Sequence, residues 1–137
     1  MTKNIFNNIL TPVLCTLSLM SISAQATIVE FQTSHGNFKV NLHDETTPKT
    51  VENFLNYVNS GSYNDTIIHR TVDDFIIQGG GAKFEGTLPP AWIDVEDSII
   101  NEPVYSNVKA TIAMAKQGGA VNSATSQWFI NVENNST

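Results

Sequence analysis

Three consecutive glycines, Gly79-Gly80-Gly81, follow the apolar run Phe75-Ile76-Ile77-Gln78 and constrain the fold more than any other feature of the chain. Glycine loses more conformational freedom on ordering than other residues and has no side chain to pack, so three in a row do not form a stable strand interior. The triplet therefore predicts a bend, or a close approach to the backbone, at the end of a strand over residues 75–78.

Short alternating apolar runs on both sides of this bend predict a mostly β domain. Turn residues separate the runs: Ser34-His35-Gly36-Asn37 predicts a hairpin with Gly36 at positive φ, and Asp73-Asp74 predicts a tight turn. Segments 84–101 and 116–125 carry loop composition. The predicted strands are 27–31, 37–42, 66–72, 75–78, 110–115 and 127–132.

One amphipathic helix is predicted between the second and third strands. Thr47 suits the N-cap position, Pro48 suits the first helical position, and Gly61 is a stop signal. Polar residues Glu52, Asn53, Asn56 and Asn59 fall outside the apolar stripe, which consists of Val51, Phe54, Leu55 and Val58. Several short strands with one such helix predict a small antiparallel β-barrel capped by the helix.

The N-terminal segment predicts a cleaved signal peptide over residues 1–26. Lys3 precedes an apolar stretch over 9–22, and Ser23-Ala24-Gln25-Ala26 supplies small residues where a signal peptidase reads them. A membrane anchor and a buried core helix are the alternatives. The stretch is shorter than the ~20 residues of a span and contains Pro12, which favours cleavage after Ala26. The mature domain would then be residues 27–137, periplasmic or secreted, with no membrane contact after cleavage.

Charge and residue usage exclude several classes of function. The chain carries 7 basic and 13 acidic side chains, a formal net charge of -6, with no basic run that would favour nucleic acid. Cys15 is the one cysteine and lies in the signal segment, so the mature domain has no thiol nucleophile and no zinc–thiolate site. His35 and His43 are too scattered to predict a metal site. We interpret a loose cluster of acidic residues as a solvated loop rather than a calcium site, because no EF-like spacing is present: Asp94, Glu96, Asp97 and Glu102.

Two segments of the sequence resemble motifs of a known family. Residues 67–81 read Ile-Ile-His-Arg-Thr-Val-Asp-Asp-Phe-Ile-Ile-Gln-Gly-Gly-Gly. Residues 111–115 read Thr-Ile-Ala-Met-Ala, and residues 123–132 read Ser-Ala-Thr-Ser-Gln-Trp-Phe-Ile-Asn-Val. Both resemble cyclophilin motifs, His-Arg…Phe…Gln-Gly-Gly and Met-Ala…Ser-Gln-Phe-Phe-Ile, in order and spacing. The hairpin and the helix are also similar to the family's first strands and helix, and the details look closest to exported bacterial members.

The resemblance implies a peptidyl-prolyl cis–trans isomerase that assists the folding of exported proteins. Rotation about a peptide bond meets a barrier of ~18–20 kcal/mol but breaks no bond, so the reaction requires no nucleophile, cofactor or metal. By resemblance, Arg70 donates to the prolyl nitrogen of the twisted amide, and Gln78 holds the substrate carbonyl or orients Arg70. The expected partners are proline-containing polypeptides, and we expect the protein to be a monomer.

The substrate-binding residues are likewise implied by the resemblance. Phe75, Ile76 and Phe129 would line an apolar slot for the proline ring. The side chain of Gln127 and the backbone at Ala115 and Lys116 would bind the residues before proline.

The chain departs from the family pattern at several places. Ile76 stands where the family usually has Met, and Trp128 stands where Phe is usual; we expect Trp128 to face the core. The loop over 117–122 also differs from the commonest pattern. The family's further aromatic pocket wall, pocket histidine, last strands and second helix would lie beyond Thr137. We therefore expect an open barrel, and expect the 137-residue chain by itself to fold poorly or aggregate.

Alternatives to the isomerase prediction remain open. Taken alone, Arg70 would be a solvated sheet residue, and Phe75 and Phe129 would be ordinary core; the surrounding motifs favour function. His69 is predicted to be structural, because it points to the face opposite Arg70. A catalytically weak proline-peptide-binding or chaperone module would use the same groove. A secreted β domain without a peptide site would require both motifs to be coincidental.

Overall fold

The computed structural model describes residues 26–136, which form eight short strands and one helix. The predicted signal peptide lies outside the described residues, apart from Ala26. The elements are β1 (Ile28–Phe31), β2 (Phe38–Asn41), α1 (Pro48–Asn59), β3 (Arg70–Val72), β4 (Ile76–Gly79), β5 (Ala82–Lys83), β6 (Ala91–Trp92), β7 (Ile112–Met114) and β8 (Trp128–Asn131).

The strands pair antiparallel throughout, in three sheets. A hairpin joins β1 to β2, a four-stranded sheet has the order β3-β4-β8-β7, and β5 pairs with β6. The prediction of a mostly β antiparallel fold with one helix is confirmed. Within residues 26–136 the sheets stay separate and do not close into a barrel.

The hairpin forms as predicted, with Gly36 at φ +118°. The Thr33 hydroxyl donates to the Gly36 carbonyl oxygen at 2.6 Å and closes the turn. The strand predicted over 66–72 is wrong in its first half, because β3 begins only at Arg70. Thr66 instead bridges to Lys83, and the segment then crosses to the four-stranded sheet. A chain that passes from one sheet to another cannot keep a continuous ladder with either.

The long loop predicted over 84–101 contains a strand. β6 returns to β5, so that Ala82 pairs with Trp92 and Lys83 pairs with Ala91. Ile99 forms a further bridge with Ala124. A strand of two residues shows no period in the sequence, which is why composition alone indicated a loop.

Helix α1 begins at Pro48, as predicted, but Thr47 does not cap it with its side chain. The Thr47 hydroxyl donates to the His43 carbonyl oxygen at 3.1 Å instead. α1 ends at Asn59, two residues before Gly61, whose φ is +74°. No helix in the part of the chain that the structure describes has the length and hydropathy to cross a bilayer.

Glu102 caps the N-terminus of α1, so its interpretation as a solvated loop residue is wrong. Its carboxylate accepts the backbone N–H of Lys49 at 3.2 Å and that of Thr50 at 2.8 Å. The Thr50 hydroxyl donates to the same carboxylate at 2.8 Å. Free N–H groups and the positive end of the helix dipole favour an anion there. Burial raises the pKa of Glu102, but the hydrogen bonds from Thr50 and Lys49 lower it by more, leaving it below its ordinary value.

The apolar face of α1 packs on the core with one change from the predicted stripe. Val51 and Phe54 are buried, whereas Leu55 and Val58 are only half-buried. Asn53, which the pattern left outside the stripe, is buried, as is Tyr57. The buried core cluster is Leu42, Val51, Phe54 and Trp128, with Phe31 edge-on to Trp128 at a centroid distance of 5.1 Å.

The glycine triplet is a site of close approach to Trp128, as one of the two predicted alternatives had it. Gly80 has φ +74°, and a Cβ there would lie 2.5 Å from Cδ1 and Nε1 of Trp128 and 2.9 Å from the Ser126 carbonyl oxygen. A Cβ on Gly79 would lie 2.9 Å from the same indole ring. The indole therefore packs directly on the backbone at the end of β4.

Gly80→Ala is expected to lower the free energy of unfolding by roughly 2–5 kcal/mol. Left-handed backbone strain accounts for ~1–2 kcal/mol and displacement of Trp128 for ~1–3 kcal/mol. The matched control is Gly118→Ala, because Gly118 has no positive φ and a Cβ there meets nothing within 4 Å. Thermal unfolding followed by circular dichroism measures both. Equal losses for the two variants would contradict the close approach.

Glu102→Gln is expected to destabilise the domain by ~0.5–1 kcal/mol, because an uncharged amide is a weaker cap. The lowered pKa of Glu102 means that its contribution is present above its ordinary value of 4.5 and is lost as the pH falls through the folded value. The difference in Tm between wild type and variant should therefore shrink as the pH falls below 4.5. Glu85→Gln, at an exposed position, is the control; a pH-independent difference would contradict the capping role.

Candidate active site

The four-stranded sheet brings three predicted site residues into one row. Arg70 on β3 pairs with Gln78 on β4, and Gln78 pairs with Phe129 on β8. Directly paired residues of antiparallel strands project from the same face of a sheet. The structure therefore places Arg70, Gln78 and Phe129 together, as expected from the two sequence blocks.

The opposite face of this sheet belongs to the core. The predicted core position of Trp128 is confirmed, since the residue is 5% exposed and belongs to the buried cluster. Strand alternation then turns the neighbouring Phe129 to the outer face. Further residues of β7 and β8 pack against the same core: Ile112, Met114 and Ile130.

His69 packs away from the candidate site residues. Its ring meets Trp92 edge-on, with centroids 5.4 Å apart. Its Nδ1 is buried and has no hydrogen-bond partner among the described residues. These contacts are those of a packing residue beside β6.

A directed chain of hydrogen bonds links Arg70 to the two glutamines. Nη1 of Arg70 donates to Oε1 of Gln78 at 3.1 Å, and Nε2 of Gln78 donates to Oε1 of Gln127 at 2.8 Å. The Gln78 amide is thus held with its oxygen toward the guanidinium. Nε2 of Gln127 donates no hydrogen bond within residues 26–136.

Arg70 forms no ion pair with any carboxylate of the described residues, 26–136. Two ion pairs occur within residues 26–136, and neither includes Arg70. The side chain is exposed, and its partner is a neutral amide. A guanidinium keeps its positive charge at all ordinary pH values. It is therefore available to stabilise negative charge or a lone pair on a bound molecule.

The three predicted pocket-lining residues differ in accessibility. Ile76 is 4% exposed, whereas Phe75 is 41% exposed and Phe129 is half-buried. Phe75 lies in the turn before β4, where its carbonyl oxygen accepts Val132 N at 3.0 Å and Nδ2 of Asn135 at 2.9 Å. The two phenylalanines thus offer the accessible apolar surface, whereas Ile76 on β4 is buried and exposes almost none.

The predicted groove residues continue the ladder of β7 and β8. The Ala115 N–H donates to the Gln127 carbonyl oxygen at 2.8 Å, which places Ala115 beside Gln127. Lys116 follows and is exposed, with its Nζ donating to Oδ1 of Asn101 at 3.1 Å. The structure brings Ala115, Lys116 and Gln127 to one edge of the site.

Two residues that the sequence patterns did not single out hold the backbone leading to Gln127. Nδ2 of Asn53 donates to the Thr125 carbonyl oxygen at 2.7 Å, and the Tyr63 hydroxyl donates to the Ser126 carbonyl oxygen. Burial raises the pKa of the Tyr63 phenol, which keeps it protonated as a donor. A polar residue between Val51 and Phe54 on the helix was the available signal for Asn53.

The last glycine of the triplet, Gly81, leaves space for the Gln127 side chain beside Gln78. A Cβ on Gly81 would lie 2.8 Å from Cγ of Gln127 and 3.0 Å from the Trp92 ring. Only a residue without a side chain leaves this space for the glutamine. The close approach at the triplet therefore also shapes the site.

The assembled site offers a fixed cation, oriented amides and accessible aromatic surface. Such a set of groups can seat an apolar ring and donate hydrogen bonds to a peptide carbonyl or nitrogen. Within residues 26–136, no three His, Cys, Asp or Glu side chains lie close enough together to hold a metal ion.

Curated relatives match most of the described chain. Peptidyl-prolyl cis-trans isomerase cyp18 of Streptomyces antibioticus is 43% identical over 111 residues, covering 78% of this chain and 63% of the relative. Peptidyl-prolyl cis-trans isomerase A of Dickeya dadantii is 40% identical over 136 residues, covering 93% and 68%. Peptidyl-prolyl cis-trans isomerase B of Escherichia coli is 39% identical over 112 residues, covering 79% and 64%. The chain thus spans about two thirds of the length of these relatives.

Solved structures and a family model agree with these relatives. A crystal structure of a cyclophilin type peptidyl-prolyl cis-trans isomerase of Cryptosporidium parvum superposes with a TM-score of 0.65 at 28% identity, covering 80% of this chain and 69% of that one. The same protein in the presence of the dipeptide Ala-Pro gives a TM-score of 0.62 at 27% identity, with the same coverage. The family model described as cyclophilin type peptidyl-prolyl cis-trans isomerase/CLD matches residues 28–137. The chain therefore belongs to the cyclophilin-type peptidyl-prolyl cis-trans isomerase family.

Proposed function

We propose that this chain accelerates cis–trans isomerisation of X–Pro peptide bonds in polypeptides. The observation that carries the proposal is the hydrogen-bonded chain Arg70–Gln78–Gln127, together with Phe129, which is paired directly with Gln78. The named relatives and the Cryptosporidium structure in the presence of Ala-Pro support the same reaction class.

The chemistry assigned to Arg70 follows from the barrier to rotation. Twisting the peptide bond removes its resonance and leaves a lone pair on the prolyl nitrogen, at a cost of ~18–20 kcal/mol. A cationic donor aimed at that nitrogen stabilises the twisted state more than either planar state, and only such differential stabilisation raises the rate. Each ~1.4 kcal/mol gained in this way is a tenfold acceleration.

Gln78 and Gln127 prepare the site for this step. Gln78 holds one guanidinium N–H, which reduces the motion of the exposed Arg70 side chain before substrate binds. Because fixed donors need no reorganisation during the reaction, preorganisation of this kind contributes directly to rate. Gln127 offers its free amide to the residues before proline, and Phe75 and Phe129 offer apolar surface to the ring.

We further propose that the protein acts on proline-containing polypeptides outside the cytoplasm, in the periplasm or after secretion. The support is the Ala24-Gln25-Ala26 pattern behind an apolar stretch. Slow proline isomerisation limits the folding of many chains, taking tens to hundreds of seconds without catalysis. A chain that must fold after export and contains such prolines is therefore the proposed substrate.

Arg70→Ala is expected to lower kcat/KM for a short X-Pro peptide by about 10²–10³-fold, the usual effect of removing one preorganised donor. A protease-coupled isomerisation assay measures the rate, after circular dichroism has shown that both proteins fold. Lys39→Ala removes an exposed cation from β2 and is the control. Lost turnover with retained peptide binding supports catalysis by Arg70. Unchanged turnover contradicts it and favours a peptide-binding or chaperone module.

Gln78→Glu tests whether the cation must remain un-neutralised. The variant keeps the shape of residue 78 but places a carboxylate against the Arg70 guanidinium, 3.1 Å from Oε1 to Nη1 in the wild type. We expect kcat/KM to fall by about tenfold or more, equivalent to ~1.4 kcal/mol. Gln32→Glu, exposed after β1, makes the same charge change away from the site. An equal effect of both variants would show that net charge, rather than pairing with Arg70, controls the rate.

A further inference from the structure

The start of β1 is held by one carboxylate through two hydrogen bonds. The Thr27 backbone N–H donates to Oδ2 of Asp44 at 2.7 Å, and the Thr27 hydroxyl donates to Oδ1 at 2.7 Å. The Thr27 carbonyl oxygen accepts Leu42 N–H at 2.8 Å, so all polar groups of this residue are engaged. Asp44 therefore uses both oxygens on a single residue 17 positions earlier in the chain.

Thr27 is also the residue that signal cleavage would expose. Small residues stand at Ala24 and Ala26, the two positions that a signal peptidase reads. Hydrolysis breaks the Ala26–Thr27 bond: water adds its oxygen to the Ala26 carbonyl carbon, and the leader departs with a carboxylate. The Thr27 nitrogen becomes a primary amine and takes a proton from solvent. The nitrogen that Asp44 binds as an amide thus becomes an ammonium group.

We propose that Asp44 is the binding site for the α-ammonium group of the processed chain. The inference rests on the proposed export and is independent of isomerase activity. The amide nitrogen already lies at hydrogen-bond distance from Oδ2, so processing adds a positive charge without requiring the backbone to move. The Asp44 carboxylate already accepts a charge-assisted hydrogen bond from Thr27, and an ammonium donor adds to it the attraction between two opposite charges. Processing would therefore strengthen the anchoring of β1.

The surroundings of Asp44 favour a cation. The backbone N–H and the hydroxyl of Thr27 lower the pKa of Asp44, which is therefore ionised at neutral pH. Asp44 lines a shallow depression of about 210 Å³ together with His43 and Glu45. Tyr105, whose ring stacks on His43 at 4.2 Å, completes the titratable groups there. Glu45 adds negative potential, and a protonated His43 opposes it. The other lining residues are uncharged: Ala26, Asn41, Leu42 and Thr46.

A bound ammonium has a pH signature that an amide N–H lacks. The carboxylate favours the protonated amine, so the folded α-amine pKa rises above its ordinary ~7.7–8.0. The stabilisation is fully present below that ordinary value. It is lost as the pH rises through the folded pKa.

The test begins with the 137-residue chain, exported from a Gram-negative host with its own leader. Intact mass spectrometry of the purified product is expected to show Thr27 as the first residue. The pKa of its α-amine is then measured from the rate of competitive acetylation against pH. We expect a raised pKa in the wild type and the ordinary ~7.7–8.0 in Asp44→Asn. Asp94→Asn, exposed and outside the depression, is expected to keep the raised value.

A second variant tests the same proposal without changing Asp44, in case Asp44→Asn fails to fold. One serine inserted between Ala26 and Thr27 keeps Asp44 and the Thr27 amide but moves the ammonium ~3.5 Å along the chain. We expect this product to lose the raised pKa. An ordinary pKa in a wild-type product that begins at Thr27 overturns the proposal and leaves export and isomerase activity untouched. A product that is unprocessed, or that begins elsewhere, overturns both the binding of an α-ammonium group by Asp44 and the proposed cleavage after Ala26.

Discussion

The packing of Trp128 on the backbone of Gly79 and Gly80 is the contact on which the rest of the domain depends. β8 carries this indole and pairs with both β4 and β7, so it is a central strand of the largest sheet. On one face the indole joins α1 and the hairpin in the core. On the other face the next residue, Phe129, joins the row of Arg70 and Gln78. A side chain on either glycine would separate the strands and disturb both faces at once.

Isolated hydrogen bonds, rather than further apolar packing, hold the loops against the helix and the sheets. Glu102 caps the N-terminus of α1, and Asp44 holds Thr27, the residue before β1. Asn53 and Tyr63 hold the backbone ahead of Gln127. Each of these groups satisfies backbone donors or acceptors that would otherwise be left without partners in a small domain. The loops that carry the site are therefore positioned by hydrogen bonds from the helix and the turn after it.

The candidate site achieves its polarity with amides instead of carboxylates. An acidic partner would orient Arg70 equally well but would neutralise the charge that the proposed reaction needs. Gln78 accepts one N–H of Arg70 and donates its own Nε2–H to Gln127. The same amide therefore orients both Arg70 and Gln127. In a chain with a formal net charge of -6, this arrangement keeps a local positive charge in an acidic protein.

The sequence by itself determined the fold class, the start and end of α1, the hairpin turn and the residues that form the row. Each of these depends on local signals: a glycine that permits positive φ, a proline at the first helical position, and strand alternation that separates Trp128 from Phe129. Only the tertiary structure decided that Glu102 replaces Thr47 as the cap, that Asn53 is buried and that residues 66–69 leave the ladder. Contacts between residues 50 or more positions apart, such as Glu102 with Thr50 and Asn53 with Thr125, leave no periodic signal in the chain. They arise when packing brings an unsatisfied helix end or backbone carbonyl within reach of a side chain that can pair with it.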